Sequence, residues 1–174
     1  MKRLFCLVLL PWLAACALAP PTSPLRPQAA AITAFSFNGR LSVRQGEQQH
    51  HAHIDWRHEA GNDEILLSTP FGQGLAKINR DADGARLLLA DGHRYSGADW
   101  RQLAARVLGF APPPGPPQRW LLGQSLTPQG SNGWRVETVR RESAAANALP
   151  TLIVLRRDDV EARLLIDSWM LPPQ

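Results

Sequence analysis

The chain has 174 residues, 44% of them hydrophobic and 20% charged, with 15 prolines and a formal charge of +4. Two of the positive charges are Lys2 and Arg3, Lys77 is the only other lysine, and the arginines are scattered. No basic block or Arg-rich helix stands out, so nucleic-acid binding is disfavoured.

Lys2 and Arg3 precede an almost wholly apolar run from Leu4 to Leu13, and Ala14 and Ala15 supply small residues before Cys16. A charged start, an apolar run and a small-residue cleavage site make an export signal over residues 1–15. The run is about ten residues long and contains Pro11, whereas a spanning helix needs roughly 20, so no retained transmembrane helix is expected. Leu13-Ala14-Ala15-Cys16 resembles the bacterial lipobox, whose cysteine is acylated and becomes the first residue. Cleavage near Ala15 without a lipid is the alternative. Of the two cysteines, Cys6 leaves with the signal. Cys16 would then be alone in an exported protein, which acylation explains, and no disulfide is possible.

What remains is about one domain in length. It begins with a tether, residues 16–32, in which Ala17 to Ala31 reads ALAPPTSPLRPQAAA. Proline-rich chain extends by about 3 Å per residue, so the folded domain, residues 33–174, can stand up to ~45 Å from the lipid.

From Phe35 onward period-two alternation dominates. Phe35, Phe37, Leu41 and Val43 share one strand face, with Ser36, Asn38, Arg40, Ser42 and Arg44 opposite. After a turn at Gln45-Gly46-Glu47-Gln48, Ala52, Ile54 and Trp56 alternate with His51, His53, Asp55 and Arg57. Glu64 to Thr69, Leu75 to Asn79, Arg86 to Ala90 and Arg94 to Ser96 read as further strands separated by turns, an antiparallel meander. Ala98 to Leu108 switches to helical spacing, with Trp100, Leu103, Ala104, Val107 and Leu108 on one face and Gly109 as the cap. The run Phe110 to Pro117 cannot be helix or central strand. Gln118 to Leu122 makes one more helical turn, closed by Gly123. Strands resume at Trp134 to Arg140, then Leu152 to Arg157 and Val160 to Asp167 flank an Asp158-Asp159 hairpin. Leu165 and Trp169 interrupt the polar side of the last strand, which places that face under partial cover or near an edge.

The count is about nine to eleven antiparallel strands, with one long and one short helix inserted after the sixth. A sheet this large exposes a long apolar face unless it curls or is covered. Curling around the helix as a partial barrel solves this and leaves an apolar interior.

Chemical motifs are few. His51, His53 and Asp55, beside His50 and His58, have a spacing that can ligate zinc, but their strand face is the polar one, and a solvated outer surface explains them. There is no Gly-x-Ser-x-Gly elbow, and Gly72-Gln73-Gly74 lacks the rest of a dinucleotide fingerprint. Asp158 and Asp159 are explained by turn chemistry. No catalytic residue, metal ion or cofactor is expected. More telling is Thr69-Pro70-Phe71-Gly72-Gln73-Gly74, a connection between strands that carries a large aromatic. Phe71 either folds back onto the barrel or forms an exposed apolar tip that enters a membrane or a partner.

Taken in order, Phe37-Asn-Gly-Arg-Leu-Ser-Val43, Trp56, Ile65-Leu-Leu-Ser-Thr-Pro-Phe-Gly-Gln73, Leu89-Ala-Asp-Gly92, Leu122-Gly123, Trp134 and Leu164-Leu-Ile-Asp-Ser-Trp169 resemble the LolB family of outer-membrane lipoprotein receptors. The chain departs from that pattern in the Pro112 to Pro117 run and in carrying Phe71 where an aliphatic residue often stands. The resemblance implies an unclosed antiparallel β-barrel with its helices as a lid over an apolar cavity. It implies a monomeric, non-enzymatic receptor that accepts lipoproteins from a periplasmic LolA-type carrier, holds their acyl chains and inserts them into outer-membrane phospholipid. Pro70, Phe71 and Gly72 would form the insertion loop, and Cys16 the anchor. Ala17, rather than aspartate, after the cysteine favours the outer membrane. Candidate cavity residues are Phe35, Phe37, Leu41, Val43, Ile54, Trp56, Ile78, Leu87, Leu89, Trp134, Leu164 and Ile166, with Trp100, Leu103 and Val107 from the helix. Each is equally readable as plain core. An outer-membrane-anchored protein for another apolar ligand, or a structural lipoprotein, is the alternative.

Overall fold

The structure, a computed structural model, describes residues 31–124, 131–145 and 147–172. The export signal, Cys16 and nearly all of the tether lie outside the described residues. Nine strands and two helices follow one another: β1 (Ala34–Gln45), β2 (Gln48–Glu59), β3 (Asn62–Ser68), β4 (Gly74–Asp81), β5 (Gly84–Leu89), β6 (Arg94–Gly97), α1 (Trp100–Leu108), α2 (Pro117–Leu121), β7 (Arg135–Arg141), β8 (Pro150–Arg157) and β9 (Val160–Met170).

The strands form one antiparallel sheet in the order β6-β5-β4-β3-β2-β1-β9-β8-β7. Two meanders, β1 to β6 and β7 to β9, are therefore joined by pairing the first strand with the last. The edge strands β6 and β7 do not pair with each other, so the barrel is unclosed. Inward residues alternate with outward ones as the period-two pattern requires, and one contiguous apolar core runs along the inner face.

Helix α1 starts at Trp100, two residues after the start expected at Ala98, because the Asp99 carboxylate accepts the Arg101 N–H at 2.9 Å and caps it. Gly109, at φ 79°, ends it in the left-handed conformation. The helix buries Trp100, Leu103 and Ala104 and packs on β4, β5 and β6. Pro117 opens α2, so the proline run contributes one helical residue after all. A first-turn proline gives up an N–H that has no helical partner anyway. The rest of the run is held rather than loose: Pro112 and Pro113 are buried, and Arg101 donates Nε–H to the Pro112 carbonyl at 3.1 Å.

The reading of β9 needs correction. It is an interior strand between β1 and β8, and it continues to Met170. Its register against β1 shifts between Asn38 and Gly39, where Ser168 and Ile166 are paired and Asp167 is skipped. That bulge reverses the alternation, so Trp169 turns in against Phe37, with ring centroids 5.1 Å apart. Leu165, before the bulge, stays on the outer face. Gly39 makes the bulge possible, since a Cβ there would lie 2.4 Å from the Leu165 carbonyl oxygen. Gly39→Ala should destabilise the domain by about 2–3 kcal/mol in urea unfolding, the cost of overpacking against backbone that cannot yield.

Candidate functional site

Between the concave sheet face and the helices lies an apolar cavity of about 50 Å³. Leu41, Ile54, Trp56, Ile65, Leu67 and Ile78 line it from β1 to β4, and Leu155, Ala162 and Leu164 from β8 and β9. Trp100, Ala104, Leu108, Phe110, Pro112 and Trp120 close it from the two helices and their connection. No polar residue is among these lining side chains.

Of the residues expected at a cavity, Leu41, Ile54, Trp56, Ile78, Trp100 and Leu164 are at its wall. Phe35, Phe37, Val43, Leu87, Leu103, Trp134 and Ile166 are buried in the surrounding core, and Leu89 and Val107 pack partly buried against it. Trp134 stands behind Phe110, with ring centroids 5.4 Å apart. Sequence reasoning missed Ile65 and Leu67, although their alternation in β3 was available. It also missed Phe110, Pro112 and Trp120, which no strand or long-helix periodicity marks.

Trp56 joins the sheet to the lid. Its ring meets Trp100 of α1 edge-on at 5.9 Å and Trp120 of α2 at 6.2 Å. Its Nε1–H donates to Asp63 Oδ1 at 2.8 Å. Asp63, 4% exposed, is the hub of a buried polar cluster. His58, 3% exposed, donates Nδ1–H to the same oxygen at 2.8 Å, and Arg80 donates Nε–H to Oδ2 at 2.6 Å. With His58 in that tautomer, its Nε2 accepts from Gln118 Nε2–H of α2 at 2.7 Å. Gln118 Oε1 and Trp120 Nε1, also on α2, are buried without a hydrogen-bond partner. Helix α2 is thus tied to the sheet by a hydrogen bond to His58 and by the Trp120–Trp56 ring contact, while two of its buried polar atoms find no partner within the protein.

The Thr69–Gln73 connection is a compact turn. Gly72 N–H donates to the Thr69 carbonyl at 2.9 Å, Thr69 N–H to the Gln73 carbonyl at 2.8 Å, and Gln73 N–H to Thr69 Oγ1 at 3.1 Å. Pro70 at the second position and Gly72 at the fourth suit such a turn. Phe71 does not fold back. It is 94% exposed, the most exposed of the large hydrophobic side chains among the described residues.

The β2 histidines divide between the two faces. His51 and His53 are exposed on the outer face, whereas His50, exposed near the strand's start, and buried His58 share the inward face of Ile54 and Trp56. Among the described residues no three His, Cys, Asp or Glu side chains converge as a metal site.

An open antiparallel sheet, curled over an apolar cavity and closed by two short helices, defines a half-barrel of the LolA and LolB kind. The crystal structure of a LolA superfamily protein from Nitrosomonas europaea superposes with a TM-score of 0.51, covering 83% of this chain and 88% of that one at 6% identity. The family model for "Outer membrane lipoprotein LolB" matches residues 33–169. Proteins described as outer-membrane lipoprotein LolB are similar along most of their length. That of Azoarcus sp. is 31% identical over 91% of this chain and 90% of its own. That of Thiobacillus denitrificans is 31% identical over 99% and 100%. This chain belongs to the LolB family of outer-membrane lipoproteins.

Proposed function

We propose that the chain is an outer-membrane lipoprotein receptor, moored by acylated Cys16 and facing the periplasm. It takes lipoproteins from a LolA-type carrier, shelters their acyl chains in the cavity and releases them into membrane phospholipid. The wholly apolar cavity beneath two helices carries this reading. Burying acyl chain is worth ~0.8 kcal/mol per CH₂, so exposing one chain of about 16 carbons costs on the order of 12 kcal/mol. A protein cavity that holds chains less tightly than a bilayer lets them pass downhill to the membrane without an energy source. No catalytic step is part of the proposal.

At about 50 Å³ the cavity has room for only a few water-sized groups. The lid must therefore move to admit a chain, and the three tryptophans at the cavity wall report it. Fatty acid added to a soluble form, residues 17–174, should change tryptophan emission, and a fluorescent acyl probe should be displaced by it competitively. The sheet, both helices and the core all lie between Ile32 and Leu171, so that form keeps every element of the fold. A folded chain that binds no acyl probe contradicts the proposal. Cys16→Ala should abolish membrane localisation while acyl binding is retained, measured by fractionation and by the same probe.

A further inference from the structure

The outer face of the sheet carries a second concavity, which the lipid-carrying cavity does not use. Strand register places Arg140 of β7, Leu152 of β8, Leu165 of β9, Arg40 of β1 and His53 of β2 in one row. The row continues to Ser68, the last residue of β3 before the turn that carries Phe71. Residues in one antiparallel row share a face. On that face the next row holds Arg163, Ser42 and His51. All of these residues except Ser68, together with Pro70, line a groove of about 520 Å³.

Cations outnumber the acids that reach them. Asp167 pairs with Arg40 at 2.7 Å, and Glu161 pairs with Arg163 at 2.8 Å. Glu161 is shared: hydrogen bonds from Arg156 and Arg163 hold its carboxyl below the usual range, and Arg44 stands 3.8 Å away. Arg140 has no ion-pair partner among the described residues. His51 and His53 are exposed imidazoles able to donate, and Leu152 and Leu165 place apolar surface between the cations. Alternating cations and apolar side chains, set beside an exposed aromatic, fit the boundary between headgroups and acyl chains. An acidic protein surface would match the charge, but not the continuity with Phe71.

We propose that this groove binds the phosphate of bilayer phospholipid headgroups through Arg140, Arg163, Arg40 and the two histidines, seating the domain on the membrane with the Phe71 turn directed into it. This rests on the reading of Phe71 as a membrane-entering tip. With Pro70 in the groove wall, a Phe71 ring in the acyl layer brings the cations to headgroup depth.

The test uses soluble chain, residues 17–174, with vesicles of phosphatidylethanolamine with and without phosphatidylglycerol. Wild type should bind the anionic vesicles more tightly and lose that advantage as salt rises. Arg140→Gln with Arg163→Gln should weaken binding by on the order of tenfold or more at low salt, since each basic residue near an anionic surface contributes severalfold. Arg140→Lys should restore most of the single-variant loss. Acyl-probe binding should not change. Should loss of the Glu161 pair lower the unfolding midpoint of the double variant, Arg140→Gln alone carries the test, with a loss of roughly fivefold.

Vesicle binding by the variants equal to wild type overturns the proposal. So does a groove variant that keeps vesicle binding but no longer accepts lipoprotein from the carrier, since the groove would then dock a protein. Phe71→Glu, measured alongside, separates the two readings. Loss with Phe71→Glu but not with the groove variants leaves the tip reading standing and removes the groove.

Discussion

Phe71→Glu should leave the unfolding midpoint and acyl-probe binding at wild-type values, yet slow lipoprotein insertion into vesicles by about ten- to a hundredfold. The side chain is 94% exposed, so its replacement removes no packing. The turn is held by its own backbone and by Thr69 Oγ1, none of which involves the ring. Burying a phenylalanine is worth about 1.5–3 kcal/mol, and a carboxylate at the tip forfeits that and adds a desolvation cost on meeting lipid. Phe71→Leu should retain most of the rate, because the role needs an apolar tip and not a ring. A glutamate variant that inserts at the wild-type rate sinks the role assigned to this turn.

Asp63→Ala should cost about 3–5 kcal/mol in urea unfolding. The carboxylate is buried and accepts from Trp56, His58 and Arg80, so its removal strands two buried donors and leaves the part-buried Arg80 guanidinium without its counter-charge. Asp63→Asn keeps one acceptor oxygen and should lose less. Trp56 loses its polar anchor in either variant, and it is the ring that both lid tryptophans touch. Acyl-probe affinity of the folded fraction should therefore fall along with stability. A loss below about 1 kcal/mol for Asp63→Ala would show that the cluster is not a structural hub.

Much of the fold was legible because alternation is a local signal. Phe35 to Val43 and Ala52 to Trp56 place their side chains by parity, and Asp91-Gly92 and Asp158-Asp159 mark turns by their own chemistry. The same parity places His58 inside, two residues beyond Trp56. Its partners were not legible: Asp63 reads as an acid next to a turn, and Arg80 meets it only because β3 and β4 pair in one register. Trp169 was misplaced because a bulge skips one residue of β9, and the sequence gives no local mark of a skip. The proline run reads as an absence of structure, yet Pro112 helps to close the cavity through packing that no periodicity reports. The scattered arginines show the same limit at longer range. The β7-β8-β9 meander already sets Arg140 and Arg163 on one face, but Arg40 lies far from them in the chain, and only the pairing of the first strand with the last brings it there.

The site was legible to the same extent. Nine of the fifteen wall residues follow from inward parity on the strands, while the other six come from how the helices and their connection are laid across the sheet. Cavity size was not legible at all, since it depends on how closely those helices approach.

The central claim is that this domain accepts the acyl chains of a lipoprotein from a carrier and yields them to a membrane without an energy source. The most direct measurement is transfer of a fluorescently labelled lipoprotein from a LolA-type carrier to soluble chain, residues 17–174, followed by its release into phospholipid vesicles, all without nucleotide. The label should move to this chain on mixing and then to the vesicles, with the empty chain recovered. A folded chain that binds acyl probe but takes no lipoprotein from the carrier would contradict the account and point instead to another apolar ligand.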